Sequence, residues 1–152
     1  MNTTTPTSVH TDHPAVARLI HAFENLRRED LPALAALYAP DARFKDPFNE
    51  VRGRAAVARI FEHMFDSLDG PHFVVQQAVV QGQRCVLTWD FCFRMKRHVQ
   101  GEQRIHGASL LLLDAQGLVL DHRDYWDAAE ELYEKLPLLG SLMRWLKRRV
   151  NS

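Results

Sequence analysis

The sequence predicts an α+β protein in which a curved, mainly antiparallel sheet packs on helices. Two observations support this class. Apolar residues recur at helical spacing as far as Leu68, and from residue 72 onward the apolar period changes to two. Turns at Gly82, Gly101 and Gly117 then divide the second half into strands whose short connections favour antiparallel pairing. The predicted order is helix, helix, strand, helix and then a meander.

The first two helices form a predicted hairpin. Asp12 and Pro14 are start signals for the first helix. The second begins at the cap residue Asp30 and counts Tyr38 among its buried residues. It must end before Pro40, because proline cannot continue a helix.

A short strand over residues 41–46 follows this hairpin. Pro47 pushes the backbone of Asp46 toward an extended conformation, and a loop through Gly53 leads to the third helix. The spacing of apolar residues in that helix predicts one buried face: Val57, Ile60, Phe61, Met64, Phe65 and Leu68.

The remaining sequence alternates over residues 72–81, 84–96, 103–113 and 118–127. Alternation in the second of these strands gives one bulky apolar face, made of Leu87, Trp89, Phe91 and Phe93. The last strand has His122, Asp124 and Trp126 on one side and Arg123, Tyr125 and Asp127 on the other. Which side faces inward decides the chemistry of the site.

Length and composition indicate one globular domain. The chain has 152 residues, of which 46% are hydrophobic, and its 19 Lys and Arg equal its 19 Asp and Glu. No global charge therefore attracts nucleic acid or a membrane. Cys85 and Cys92, seven apart in one strand, project to opposite faces and are expected to be free thiols.

The two ends differ from the predicted domain at 13–127. Residues 1–12 are rich in Thr, Ser and Pro and are expected to be a disordered tail, with no leader pattern, so the expected location is the cytoplasm. Residues 128–152 form a predicted helical extension, interrupted at Pro137 and ending in a basic amphipathic helix. This helix could contact an anionic membrane surface, but packing of its leucines on the domain or across a dimer is favoured.

Two motifs resemble the nuclear transport factor 2-like superfamily, in particular its ketosteroid isomerase and SnoaL-type polyketide cyclase branch, over roughly residues 13–127. The first is the run LYAPDARFKDP at 37–47 with Gly53 after it, and the second is RDYWD at 123–127. The resemblance implies a cone-shaped fold in which the sheet packs on three N-terminal helices. It also implies a pocket for a small apolar or cyclic molecule and a homodimer formed through the outer sheet face.

In ketosteroid isomerases, the position that matches Asp46 is the general base. The tyrosine that stabilises the enolate there would fall at Ala22, and the protonated aspartic acid near Ser109. Since loss of one oxyanion donor costs about 3 kcal/mol of transition-state stabilisation, the resemblance does not predict an orthodox ketosteroid isomerase.

Three candidate catalytic residues follow. Desolvation among aromatic residues would raise the pKa of Asp46 toward the range of a general base, although an aspartate before proline also organises turns. His122 and Asp124 are two apart on one strand face, about 7 Å, and are expected to position or protonate the substrate. The alternative for His122 is a hydrogen-bonded core histidine. All three could ligate a metal, but no spacing singles out such a site, and no cofactor is predicted.

The expected substrate-binding residues are mostly aromatic, although aromatic residues at period two are also typical of a core. They are Phe44, Leu87, Trp89, Phe91, Ser109 and Trp126. The predicted function is general-base isomerisation, cyclisation or epoxide hydration of a small molecule. The alternative is a non-catalytic ligand-binding or dimerisation module, because a fold does not fix a function.

Overall fold

The computed structural model describes residues 9–96, 101–128 and 131. Within them the chain forms three α-helices and one six-stranded sheet, which confirms the α+β class. The helices are α1 (Pro14–Glu24), α2 (Leu31–Ala35, after a 3₁₀ turn at Arg28–Asp30) and α3 (Arg54–Ser67). The strands are β1 (Tyr38–Lys45), β2 (Glu50–Arg52), β3 (Leu68–Gln81), β4 (Arg84–Met95), β5 (Gln103–Leu113) and β6 (Val119–Tyr125).

Helix α1 begins at Pro14 because the preceding residue caps it. Nδ1 of His13 accepts a hydrogen bond from the backbone N–H of Val16 at 3.4 Å, and proline fits the first turn, where its missing N–H costs nothing. The apolar face of α1, with Val16, Leu19 and Phe23, is buried, and Glu24 at the end of the helix accepts a hydrogen bond from the backbone N–H of Val75 in β3.

The second predicted helix is shorter than the sequence indicates. It ends at Ala35, and Tyr38, assigned to its buried face, instead begins β1. Pro40 lies inside this strand at an irregularity of the pairing between Tyr38 and Arg43, where a missing N–H breaks no ladder bond. Two further elements differ from the prediction. The sequence predicts a loop where the structure has β2, and it predicts that Leu68, the first residue of β3, belongs to the third helix.

The sheet order is β2-β1-β6-β5-β4-β3. Strands β3 to β6 form the predicted antiparallel meander. Strand β1 is parallel to β6, and this long-range pair sets Phe44 beside His122 and Lys45 beside Arg123. The end of β1, and with it Asp46, is thereby brought to the end of β6.

The two faces of the sheet follow the predicted alternation. His122 is 2% exposed and faces the helices, whereas Arg123 and Tyr125 face outward. The outer face also exposes Val79, Val86 and Leu110, which are neighbours across β3, β4 and β5. Cys85 and Cys92 are both buried free thiols, as predicted.

Most of the predicted C-terminal extension, and residues 1–8 of the tail, lie outside the described residues. None of the helices in the described part of the chain is long and apolar enough to cross a membrane.

Candidate active site

A cavity of about 190 Å³ lies between α3 and the inner face of the sheet. Its walls are largely aromatic. Strand β1 contributes Phe44, β4 contributes Trp89, Phe91 and Phe93, and Phe48 and Trp126 lie just after β1 and β6. The aromatic residues named for it from the sequence, Phe44, Trp89, Phe91 and Trp126, all line it, and Phe48 and Phe93 join them. Helix α3 forms the opposite wall with the predicted apolar residues Ile60, Phe61 and Met64.

Asp46 lies at this cavity, directly after β1, and its side chain closes a turn. Its Oδ1 accepts hydrogen bonds from the backbone N–H groups of Phe48 at 2.8 Å and Asn49 at 2.6 Å. The amide of Asn49 donates to both carboxylate oxygens, at 3.1 and 3.0 Å. This geometry is that of an Asx turn, so the turn-organising role is present in the structure.

Burial raises the pKa of Asp46 above its ordinary value. Hydrogen bonds from Asn49 and Phe48 lower it, but not enough to cancel the loss of solvent, and the negative charge of Asp124 raises it further. The two carboxyl groups are therefore close enough to sense each other, and both line the cavity.

Asp124 is joined to His122 on the same strand. Nε2 of His122 lies 2.6 Å from Oδ1 of Asp124, and Nδ1 of the same ring lies 2.7 Å from the hydroxyl of Tyr38. Rings surround the imidazole: Phe44 at 4.7 Å and Phe23 at 6.0 Å between centroids, with Tyr38 stacked on it. Burial raises the pKa of Tyr38 well above its ordinary value, so the phenol keeps its proton.

A second branch reaches Asp124 from β5. The indole N–H of Trp89 donates to Oγ of Ser109 at 2.8 Å, and Oγ of Ser109 donates to Oδ1 of Asp124 at 2.5 Å. The indole lies against Gly107, where an added Cβ would be 2.5 Å from the ring. Glycine at this position therefore lets Trp89 reach Ser109.

These five side chains form one directional network. When Nδ1 of His122 accepts from the hydroxyl of Tyr38, Nε2 donates to Asp124, and every group in this branch then has a partner. Both branches then end as donors to Oδ1 of Asp124. Among the described residues none donates to Oδ2 of Asp124, and the residue itself lines the cavity.

Three of the site residues predicted from the sequence, Leu87, Ser109 and His122, do not line this cavity. Leu87 is buried in the core and does not line the cavity. Ser109 and His122 border a void of about 10 Å³ behind it, which Asp124 and Trp89 share. Sequence reasoning missed Tyr38 and Asn49 as site residues. The helix assignment hid Tyr38, whereas Asn49, three residues after Asp46 of the Asp-Pro pair, carried a turn signal.

The metal alternative finds no support in the geometry. Both ring nitrogens of His122 are used in hydrogen bonds, and in the described part of the chain no three His, Cys, Asp or Glu side chains are grouped so as to hold an ion.

A curved sheet wrapped on three helices, with a cavity between them, defines a nuclear transport factor 2-like domain. The chain belongs to the SnoaL-like domain family, whose model matches residues 16–122. A comparison with curated proteins found no significant match.

Solved structures share the fold at low sequence identity. One is a hypothetical protein with a ketosteroid isomerase-like fold from Catenulispora acidiphila, in complex with trimethylamine (TM-score 0.70, 17% identity, 81% of this chain and 92% of that one). A second is an LEH-like epoxide hydrolase from Mycobacterium tuberculosis (0.65, 18%, 86% and 92%). A third is TsrD from Streptomyces laurentii (0.68, 20%, 84% and 98%).

Proposed function

We propose that this protein is a small-molecule enzyme in which Asp124 acts as the general base and Asp46 positions the substrate. The observation that carries the proposal is that these two carboxyl groups line one largely aromatic cavity. His122 and Ser109 are positioning residues, because each holds Oδ1 of Asp124 and neither lines the main cavity.

Asp124 suits the role of base because a base needs a free lone pair directed at the substrate. Its Oδ1 accepts both hydrogen bonds that fix the carboxylate, which leaves Oδ2 for the reacting proton. Asp46 is more constrained, since both of its oxygens accept from Asn49. The assignment of Asp46 as the base, made from the sequence, stays a prediction, and its raised pKa keeps it the competing candidate.

The substrate is small, and the aromatic walls favour one with an apolar or cyclic body. A cavity of about 190 Å³ accommodates a small molecule. A general base in this cavity could take a proton from a carbon beside a carbonyl, which gives isomerisation or ring closure. It could also take one from a water that opens an epoxide, and the epoxide hydrolase-like relative supports testing that class.

A panel of small ketones, lactones and epoxides tests the proposal with the wild type, Asp124→Asn and Asp46→Asn. We expect Asp124→Asn to lower kcat by about 10² to 10⁴ and Asp46→Asn to change mainly KM. Asp121→Asn, which removes the same charge on the outer face, is the matched control. If Asp46→Asn abolishes turnover and Asp124→Asn does not, the base is Asp46. Undiminished turnover in both variants refutes catalysis by this carboxylate pair.

A non-catalytic ligand-binding module is the second candidate function. The Asx turn at Asp46 favours it, because that carboxylate already has a structural task. Saturable binding of panel members without turnover would support this function.

We also propose that the protein forms a homodimer through the outer sheet face. The exposed side chains of Val79, Val86, Leu110 and Tyr125 form one apolar surface there, which we call the outer stripe. Val86 pairs with both Val79 and Leu110, and Leu110 pairs with Arg123 on β6. Tyr125, two residues after Arg123, lies on the same face of that strand. Location in the cytoplasm and the absence of nucleic acid partners remain predictions from the sequence.

A further inference from the structure

The cavity wall carries two acidic side chains. Asp46 and Asp124 line it, and no lysine or arginine among the described residues does. The lining also includes His63 on α3, whose Nδ1 lies 3.8 Å from the carboxylate of Asp66. A buried carboxylate is costly without a proton or a positive partner, so a cationic ligand would stabilise the ionised form of these groups.

The nearby basic side chains lie on the other side of these carboxylates. Lys45 and Arg123 line an open groove that Asp46 and Asp124 also border. Lys45 is 3.6 Å from the carboxylate of Glu50, and the guanidinium of Arg123 lies over the ring of Tyr125 at 4.8 Å. Both cations therefore have partners outside the cavity, and its interior is left to the two carboxyl groups.

Aromatic walls add a second attraction for positive charge. The ring faces of Trp, Tyr and Phe attract cations within about 6 Å of their centroids, most strongly for Trp. Phe48 and Trp126 meet edge to face at 5.3 Å, and Phe91 and Phe93 lie 5.2 Å apart. All four rings line the same cavity as the carboxylates. Aromatic rings together with acidic groups are the combination that recognises alkylated ammonium ions.

We propose that the ligand of this cavity is a small organic cation that carries a tertiary or quaternary ammonium group. The ammonium group lies among the aromatic rings, with Asp46 and Asp124 as its counter-charges. The inference rests on the proposed function, since it names the substrate class of the same cavity. A neutral molecule of equal shape would keep the contacts with the rings but would gain nothing from the carboxylates.

Choline and its neutral isostere 3,3-dimethylbutan-1-ol separate these cases, because they differ in one atom and in charge. Binding of each to the full-length protein is measured by titration calorimetry or by chemical shifts at neutral pH. We expect choline to bind at least about tenfold more tightly than the alcohol. Asp46→Asn and Asp124→Asn should each weaken choline binding and leave the alcohol unchanged, whereas Asp121→Asn should change neither.

Equal affinity for the two probes overturns the cationic ligand and leaves the general-base proposal standing. Failure of both probes to bind also overturns it, and the turnover panel then tests the proposed function separately. The comparison of the two probes in the wild type needs no variant, so a variant that fails to fold does not affect the outcome.

Discussion

His122 and Asp124, two residues apart on β6, are joined by a contact of 2.6 Å between Nε2 and Oδ1. This contact fixes the imidazole, because the other ring nitrogen is held by Tyr38 at 2.7 Å. A histidine bound at both nitrogens and 2% exposed cannot reach a ligand directly. Its effect on the cavity passes through the orientation of Asp124.

Removal of the Tyr38 hydroxyl tests this support. In Tyr38→Phe, Nδ1 of His122 is left buried without its donor, which should lower the free energy of unfolding by about 1–3 kcal/mol. Urea denaturation measures the change. The matched control is Tyr125→Phe, since Tyr125 is 49% exposed and should lose almost nothing. Equal effects of the two substitutions would contradict a structural role for the Tyr38 hydroxyl.

The branch through Ser109 makes a second prediction. Ser109→Ala leaves the buried indole N–H of Trp89 without an acceptor, so we expect a loss of about 1–3 kcal/mol in unfolding free energy. Adding Trp89→Phe to that variant removes the orphaned donor. The four proteins of this double-mutant cycle should therefore show non-additive changes. Additive losses would mean that the hydrogen bond contributes little.

The pH dependence of the unfolding free energy should reveal the raised pKa of Asp46. Because burial raises its pKa, the folded protein holds this proton more tightly than the unfolded chain does. This contribution is fully present below the unfolded pKa of about 4 and is lost as the pH rises through the folded pKa. The unfolding free energy of the wild type should therefore fall, relative to that of Asp46→Asn, across this window.

Denaturation at a series of pH values, with Asp121→Asn as control, measures this difference. Other charged or titratable groups share the cavity or the open groove with Asp46: Lys45, His63, Arg123, Asp124, Tyr125 and Asp127. They are present in both proteins, so the comparison reports Asp46 together with its coupling to Asp124. A constant difference across the window would contradict the raised pKa.

The outer stripe predicts an oligomeric state. Leu110→Lys places a charge at its centre and should convert a dimer to a monomer, as measured by sedimentation or light scattering. Ala55→Lys, on the exposed side of α3, should leave the dimer intact. A monomeric wild type, or a dimeric Leu110→Lys, would exclude this interface.

Alternation along β4 and β6 predicted which residues share a face, and the resemblance to the family predicted which of the two faces points inward. The side-chain period of a strand is two, so one buried residue fixes the rest. This reasoning placed Trp89, Phe91 and Asp124 on the inner face, where the structure has them. The class and the antiparallel meander followed from the same pattern and from the short turns.

The meeting of Asp46 with Asp124 could not be read from the pattern in the same way. It depends on the parallel pairing of β1 with β6, which joins segments that are far apart in sequence and leaves no local periodic signal. Tyr38 was missed for a local reason. Pro40 resembled a helix stop, but the irregular pairing around it allows a strand to continue through it.

The parallel pair of β1 and β6 also has a consequence for biosynthesis. Tyr38 leaves the ribosome early, yet its partner His122 is 84 positions later in the chain. Helices and the β3–β5 hairpins can form while translation continues, because their contacts are more local. The acidic end of the cavity closes only after β6 has emerged, so a nascent chain released before β6, at residue 118, would lack His122, Asp124 and Trp126 and with them the carboxylate network.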